Sequence, residues 1–204
     1  MAALALKSFL TLLVVIDPVG LVPVFLALGG GRSEGEQRRL AQRAVLVAGG
    51  VLLFFAVGGA WLLSRLGISL DAFRVAGGLL LFRIAVDMVF AQRERETKEE
   101  EAEARTRADI SVFPLAIPMI SGPGALASVM ILAAEGSARR GGFLVVIAAA
   151  VVVLVLSYVA LRLAAPLGRI LGQTGVNVVT RVLGVLLAAL AVQYVADGVR
   201  GFLA

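Results

Sequence analysis

The 204-residue sequence contains no cysteine and no histidine. That double absence removes disulfides, Cys/His metal sites, thiol nucleophiles and imidazole acid–base chemistry together, and no metal or other cofactor is expected. Charge is also scarce, at 16% of residues, and aromatic residues make up only 6%, with Trp61 the single tryptophan. Soluble domains average about 25% charged and about 45–50% apolar residues. Here 60% are hydrophobic and the mean hydropathy is +0.98, which excludes an ordinary water-soluble domain and makes the bilayer the solvent. The formal charge of +5 comes from basic residues lying mostly between apolar runs, so they read as topology signals and not as a nucleic-acid face.

Apolar stretches fall at 4–28, 44–64, 68–91, 110–134, 142–166 and 176–199. Each is near the roughly 20 residues needed to cross the hydrocarbon core, so the expected fold is an all-α integral membrane protein with six transmembrane helices in one domain. The long polar segment 92–109 carries Glu94–Lys98, Glu101–Arg105 and Glu103–Arg107 at i,i+4 spacing and reads as a charged, solvated helical connector. Twelve loop cations fall on the side of connections one–two, three–four and five–six, against six on the other. The positive-inside rule then makes the first side cytoplasmic and places both termini outside the cell's inner membrane.

The two halves, 1–91 and 110–204, resemble each other. Arg74-Val75-Ala76-Gly77-Gly78-Leu79-Leu80 matches Arg181-Val182-Leu183-Gly184-Val185-Leu186-Leu187 at five of seven positions, at an offset of 107. Pro18-Val19-Gly20-Leu21 lies over Pro123-Gly124-Ala125-Leu126 at an offset of 105. Three spans per half is an odd number, so the expectation is a 3+3 inverted-topology repeat, an architecture secondary transporters use for alternating access.

Asp17-Pro18-Val19-Gly20 interrupts the first span midway, and Pro114, Pro118 and Ser121-Gly122-Pro123-Gly124 interrupt the fourth. Proline removes a backbone donor and glycine permits non-helical angles, so both helices are expected to break near the midplane. Asp17 followed by Pro18 fits the N-cap and N1 positions of a half-helix over 18–28. Broken backbone at membrane depth is tolerated only around protein or a water-filled cavity, and half-helix N-termini suit a carboxylate. These arguments assemble a candidate binding set of Asp17, Pro18, Gly20, Gly77, Gly78, Ser121, Gly122, Gly124 and Gly184. Asp17 is the deepest ionisable residue and the candidate for proton coupling, beyond its role as a cap. Arg83 and Asp87, at i,i+4 on the third span, form either a structural ion pair or a gate; Arg74 and Arg181 read as interface anchors.

The segments Ile16-Asp17-Pro18-Val19-Gly20-Leu21-Val22-Pro23-Val24-Phe25 and Phe113-Pro114-Leu115-Ala116-Ile117-Pro118-Met119-Ile120-Ser121-Gly122-Pro123-Gly124-Ala125 resemble the two signature segments of the MarC family of inner-membrane proteins. The resemblance covers essentially the whole chain. By similarity to the SnatA-type members it implies a transporter of small neutral amino acids such as glycine or alanine, with that solute and membrane lipids as partners. The residues agree with a small zwitterion: glycines leave room for backbone approach, and no aromatic cage for a bulky cation is evident. Two other classes stay open, an ion channel and an accessory membrane protein without cargo. An intramembrane aspartyl protease using Asp17 and Asp87 is disfavoured by their different depths and by Arg83 beside Asp87, so no enzyme activity is expected. Gly49-Gly50 and Gly77-Gly78 allow close helix packing within one chain or in a homo-oligomer.

Overall fold

In the computed structural model, which describes residues 1–29, 31–90 and 110–203, the described residues form helices and no strand. The expected connector helix over 92–109 lies outside them. Helix α1 (Ala2–Ile16) ends where Asp17 adopts the left-handed conformation, φ 48° and ψ 69°, and α2 (Leu21–Gly29) leaves at 44° to it. Asp and Asn tolerate that conformation better than other non-glycine residues, and Pro18 disfavours a right-handed helical residue before it. Asp17 is therefore the C-cap of α1, where an N-cap of a half-helix from 18 was expected. Its side chain still does the work of a cap, accepting the Gly20 N–H at 3.0 Å.

Helix α3 (Glu34–Arg65) begins at a capping box in which the Ser33 hydroxyl accepts the Glu36 N–H and the Glu36 carboxylate accepts the Ser33 N–H. Those Ser33 donors hold the Glu36 carboxyl below its usual range. This cap starts the helix ten residues before the expected span at 44, so Arg38, Arg39 and Arg43 lie on its first turns. Helix α4 (Leu70–Val89) is capped by the Ser69 hydroxyl, which accepts the Ala72 N–H at 3.1 Å.

The second broken span pairs a wide ten-residue segment, α5 (Ser111–Ile120), with α6 (Pro123–Ser137) at 56°. Extended backbone at Phe113 and Ile117 precedes Pro114 and Pro118, both joined by cis peptide bonds. Helix α7 (Gly142–Arg162) and the 40-residue α8 (Ala164–Leu203) complete the chain, and α8 is interrupted at Gly172, φ 58°. The last helix thus begins well before the expected 176.

Among the described residues α3, α7 and α8 are each long and apolar enough to cross a bilayer, and counting each bent pair as one span brings the number to five. Helix α4 is 20 residues long but carries Asp71, Arg74, Arg83 and Asp87, more charge than a freestanding span tolerates. It is held instead along α8, antiparallel and close. A Cβ on Gly78 would meet the Ala191 carbonyl at 2.8 Å and the Val195 nitrogen at 3.0 Å, and one on Gly184 would meet Met88 and the Ala85 carbonyl at 2.9 and 3.2 Å. A Cβ on Gly198 would meet the Asp71 carbonyl at 2.6 Å. Small residues at such crossings let backbones approach where lipid supplies no hydrophobic drive.

Shifting Gly78 and Val195 by the repeat offset of 107 gives Val185 and Met88, one residue from the observed Met88–Gly184 contact. Three further pairs of contacts obey the same correspondence, α1 on α7 and α5 on α3, α2 on α8 and α6 on α4, α2 on α7 and α6 on α3, whereas α1 also packs on α6 and α8 and α6 on α7, without a matching contact of similar extent. The outward faces are apolar, with Leu46, Phe54, Val57 and Trp61 exposed on α3, Leu144 and Val151 on α7, and Val182 and Val185 on α8. Such a surface fits lipid and not water. Gly49 meets Leu154 of α7 within the chain, whereas Gly50 faces open space in an apolar groove between α3 and α7.

These glycines make opposite predictions. In Gly50→Ala the helix gains about 0.5–1 kcal/mol from propensity, with nothing to clash. In Gly78→Ala that gain is outweighed by overpacking of about 1–3 kcal/mol against backbone that cannot rotate away. Thermal unfolding in detergent should show a raised midpoint for the first and a lowered one for the second.

Candidate functional site at the broken helices

Asp17 is fully buried, and its two carboxylate oxygens are held from different parts of the chain. Oδ1 accepts the Gly20 N–H, and Oδ2 accepts the Thr180 hydroxyl of α8 at 3.1 Å. Its backbone is tied in as well, with its N–H donated to Leu13 and its carbonyl accepting from Leu21. The close i,i+3 fold at Pro18 and Val19 leaves no room for a side chain at residue 20, since a Cβ there would run into the Asp17 carboxylate. Glycine at 20 is thus the condition for the carboxylate to occupy its place.

At the second break the buried Ser121 donates both its N–H, at 2.9 Å, and its hydroxyl, at 2.7 Å, to the Ala116 carbonyl. Gly122 is the N-cap of α6 and Pro123 opens the helix, with no side-chain cap bond. A Cβ on Gly122 would strike the Pro118 carbonyl. A Cβ on Gly124 would meet Ile84 at 2.7 Å, Leu81 at 3.1 Å and Val15 at 3.4 Å, which places the start of α6 against α4 and against α1 two residues before Asp17. The two breaks are thereby neighbours, but chemically unlike. Asp17 supplies a carboxylate to the turn that opens α2, whereas the first turn of α6 has N–H groups and no acidic cap.

The other expected site residues lie elsewhere. Gly77 faces Ala127 and Ile131 of α6, while Gly78 and Gly184 seat α4 on α8. Arg83 and Asp87 stand 3.9 Å apart near the end of α4, with the Arg83 side chain largely exposed. The structure gives Asp17 and Asp87 different partners and does not join them as a carboxylate pair. Arg74, expected as an interface anchor, is engaged with Asp71 at 2.9 Å and Glu135 at 3.6 Å.

Thr180 is the residue that sequence reasoning missed. One helical turn before it lies Asn177, and one before that Gln173, whose amide is 3.5 Å from the Asn177 carbonyl oxygen. Spacings of four and three residues put all three on one face of α8. Gln173 also lines a cavity of about 290 Å³ between α2 and the start of α8, bounded by Val22, Pro23, Leu26, Gly168, Arg169 and Gly172. That volume is at the small end of ligand pockets. The recoverable signal was a run of polar side chains at helical spacing inside an apolar stretch.

Residues 2–203 match the family described as MarC family integral membrane protein. A UPF0056 membrane protein of Methanocaldococcus jannaschii is 38% identical over 96% of both chains. One from Aquifex aeolicus is 37% identical over 98% of this chain and 94% of its own, and the Escherichia coli UPF0056 membrane protein YhcE is 33% identical over 96% and 91%. No solved structure matches.

Proposed function

From the premise that the chain belongs to the MarC family of integral membrane proteins, we propose that it is a secondary transporter, and not an enzyme, moving a small neutral amino acid of the glycine or alanine class across the inner membrane by alternating access. The observation that carries this reading is the buried Asp17 carboxylate at a helix break, beside a second break whose helix start carries no acidic cap. A zwitterion needs both. Its ammonium is complementary to Asp17, and its carboxylate to the N–H groups of Gly124 and Ala125 on the first turn of α6. The repeat-related packing of α1 with α7 and α5 with α3, and of α2 with α8 and α6 with α4, supports two inverted three-helix halves able to exchange roles.

The size of the site argues in the same direction. The turns at both breaks leave no room for a side chain at Gly20 or Gly122, and the cavity between α2 and the start of α8 holds about 290 Å³. Purified protein in liposomes should exchange labelled glycine or alanine, with saturation and with a rate that responds to an imposed pH gradient. Absence of exchange for every small amino acid under either gradient would sink the reading, and a non-saturating current linear in voltage would replace it with a channel.

A further inference from the structure

The cavity and the polar face of α8 lie on one side of Asp17, and on its other side a buried polar seam leads toward the opposite end of the molecule. Helices α1 and α6 lie side by side and antiparallel, with Val15 near Gly124 at one end and Lys7 bonded to Glu135 at 2.7 Å at the other. Between those contacts sit Ser8 and Ser128, both fully buried, and Tyr194 of α8, 1% exposed. Among the described residues, the hydroxyls of Ser8 and Ser128 have no hydrogen-bond partner, while the Tyr194 hydroxyl faces the buried Thr11 of α1. A buried unsatisfied hydroxyl is destabilising, so two on facing helices along one seam need a reason.

The seam ends in a charge cluster. Lys7 pairs with Glu135, Glu135 also faces Arg74 at 3.6 Å, and Arg74 pairs with Asp71 at 2.9 Å. Two cations and two anions thus tie α1, α6 and α4 together, with Lys7 also 5.7 Å from the Tyr194 ring. The cavity lies at residues 165–176 of α8, and Tyr194 near its other end, so one side of Asp17 leads to a cavity and the other to a closed ion-pair cluster.

We infer that the α1–α6 seam of Ser8, Ser128 and Tyr194 is the outer half of the solute path, shut in this conformation, and that Lys7–Glu135 with Arg74–Asp71 is its gate. In the open state the seam hydroxyls take water and the polar solute as partners, which accounts for Ser8 and Ser128 lacking protein partners here. The inference rests on the transporter reading for its solute, but its test does not.

Because the chain has no cysteine, single cysteines report without background. Ser8→Cys and Ser128→Cys change one atom each. In the otherwise unaltered protein, a membrane-impermeant methanethiosulfonate added from either side should leave both unmodified. Combined with Glu135→Gln or Lys7→Met, both should react at least about ten-fold faster from the side bearing the N-terminus, as for a two-state equilibrium moved by a decade. The charge exchange Lys7→Glu with Glu135→Lys should restore protection. Leu46→Cys, on the lipid face, should stay unreactive throughout. Equal reactivity of the seam cysteines with and without the gate change overturns the inference, as does continued protection in gate variants that elute and melt like the parent. If the gate opens but no amino acid is exchanged, the cargo is wrong and the gate stands; if amino acid is exchanged but the seam never opens, the cargo stands and the gate is wrong.

Discussion

Asp17→Asn is expected to leave the fold intact, to lower glycine or alanine transport by about 100-fold, and to abolish its response to a pH gradient. The asparagine carbonyl can still accept the Gly20 N–H, and its amide can donate to the Thr180 hydroxyl, which turns to accept, so the bonds to Gly20 and Thr180 survive. What is lost is the negative charge. An ammonium left without its buried counter-ion forfeits about 3 kcal/mol or more, and about 2.8 kcal/mol is 100-fold in affinity. Labelled uptake into liposomes at several imposed pH gradients, with melting followed in parallel, separates the outcomes. Retained pH dependence in a well-folded Asp17→Asn protein would reduce Asp17 to a cap. Asp17→Ala is the less informative change, because it also removes the bond to Gly20, about 1 kcal/mol for a capping side chain.

The second large effect is expected at Gly122. A methyl group there collides with the Pro118 carbonyl, which is backbone and belongs to the same tight turn, so the turn itself must open. The cost of forced overpacking is about 1–3 kcal/mol, and it falls on the geometry that aims the first turn of α6. Transport should be lost in Gly122→Ala while expression and membrane insertion persist. Gly124→Ala is the contrast. Its methyl group meets the ends of Ile84 and Leu81, flexible side chains that can give way. Partial activity is expected there, with a raised KM. If Gly122→Ala transports normally and Gly124→Ala does not, the aim of the α6 start is unimportant and the contact with α4 matters instead.

Both breaks were legible because proline and glycine act locally. Asp17-Pro18-Val19-Gly20 and Ser121-Gly122-Pro123-Gly124 announce non-helical backbone whatever surrounds them, and the structure bends there by 44° and 56°. The conformation of Asp17 was less legible. N-capping rules describe a helix start, whereas here the end of α1 and the approach to α2 share one residue, and the left-handed backbone of the first wins. Helix lengths were underread where polar turns extend an apolar core, as at the Ser33 capping box of α3 and the Gly172 interruption of α8. Hydropathy detects the lipid-matched part of a helix, not its hydrogen-bonded ends.

Thr180 and the Lys7–Glu135 pair could not be read in the same way. Thr180 lies 163 residues from Asp17 and Glu135 lies 128 from Lys7. No local periodicity links positions so far apart; only the packing of α1 against α6 and α8 brings them together. Gly77, Gly78 and Gly184 show the converse. They stood out as a repeated motif suited to backbone approach, and the backbone that approaches is that of a neighbouring helix. A glycine pattern marks closeness and does not say to what.

The contact between α4 and α8 carries one more consequence. Its two flanks, Gly78 against Val195 and Gly184 against Met88, nearly exchange under the repeat offset, so each helix presents the other with much the same surface. That is the geometry of an isologous interface, the kind a homodimer makes about its two-fold axis. On the inverted-repeat reading, the arrangement is the one that two separate copies of a three-helix ancestor would form after inserting in opposite orientations. Fusing such a pair into one chain frees each copy to diverge, and the divergence is visible at the breaks. One half has Asp17 where the other has Gly122, so on that reading the two related breaks differ in charge.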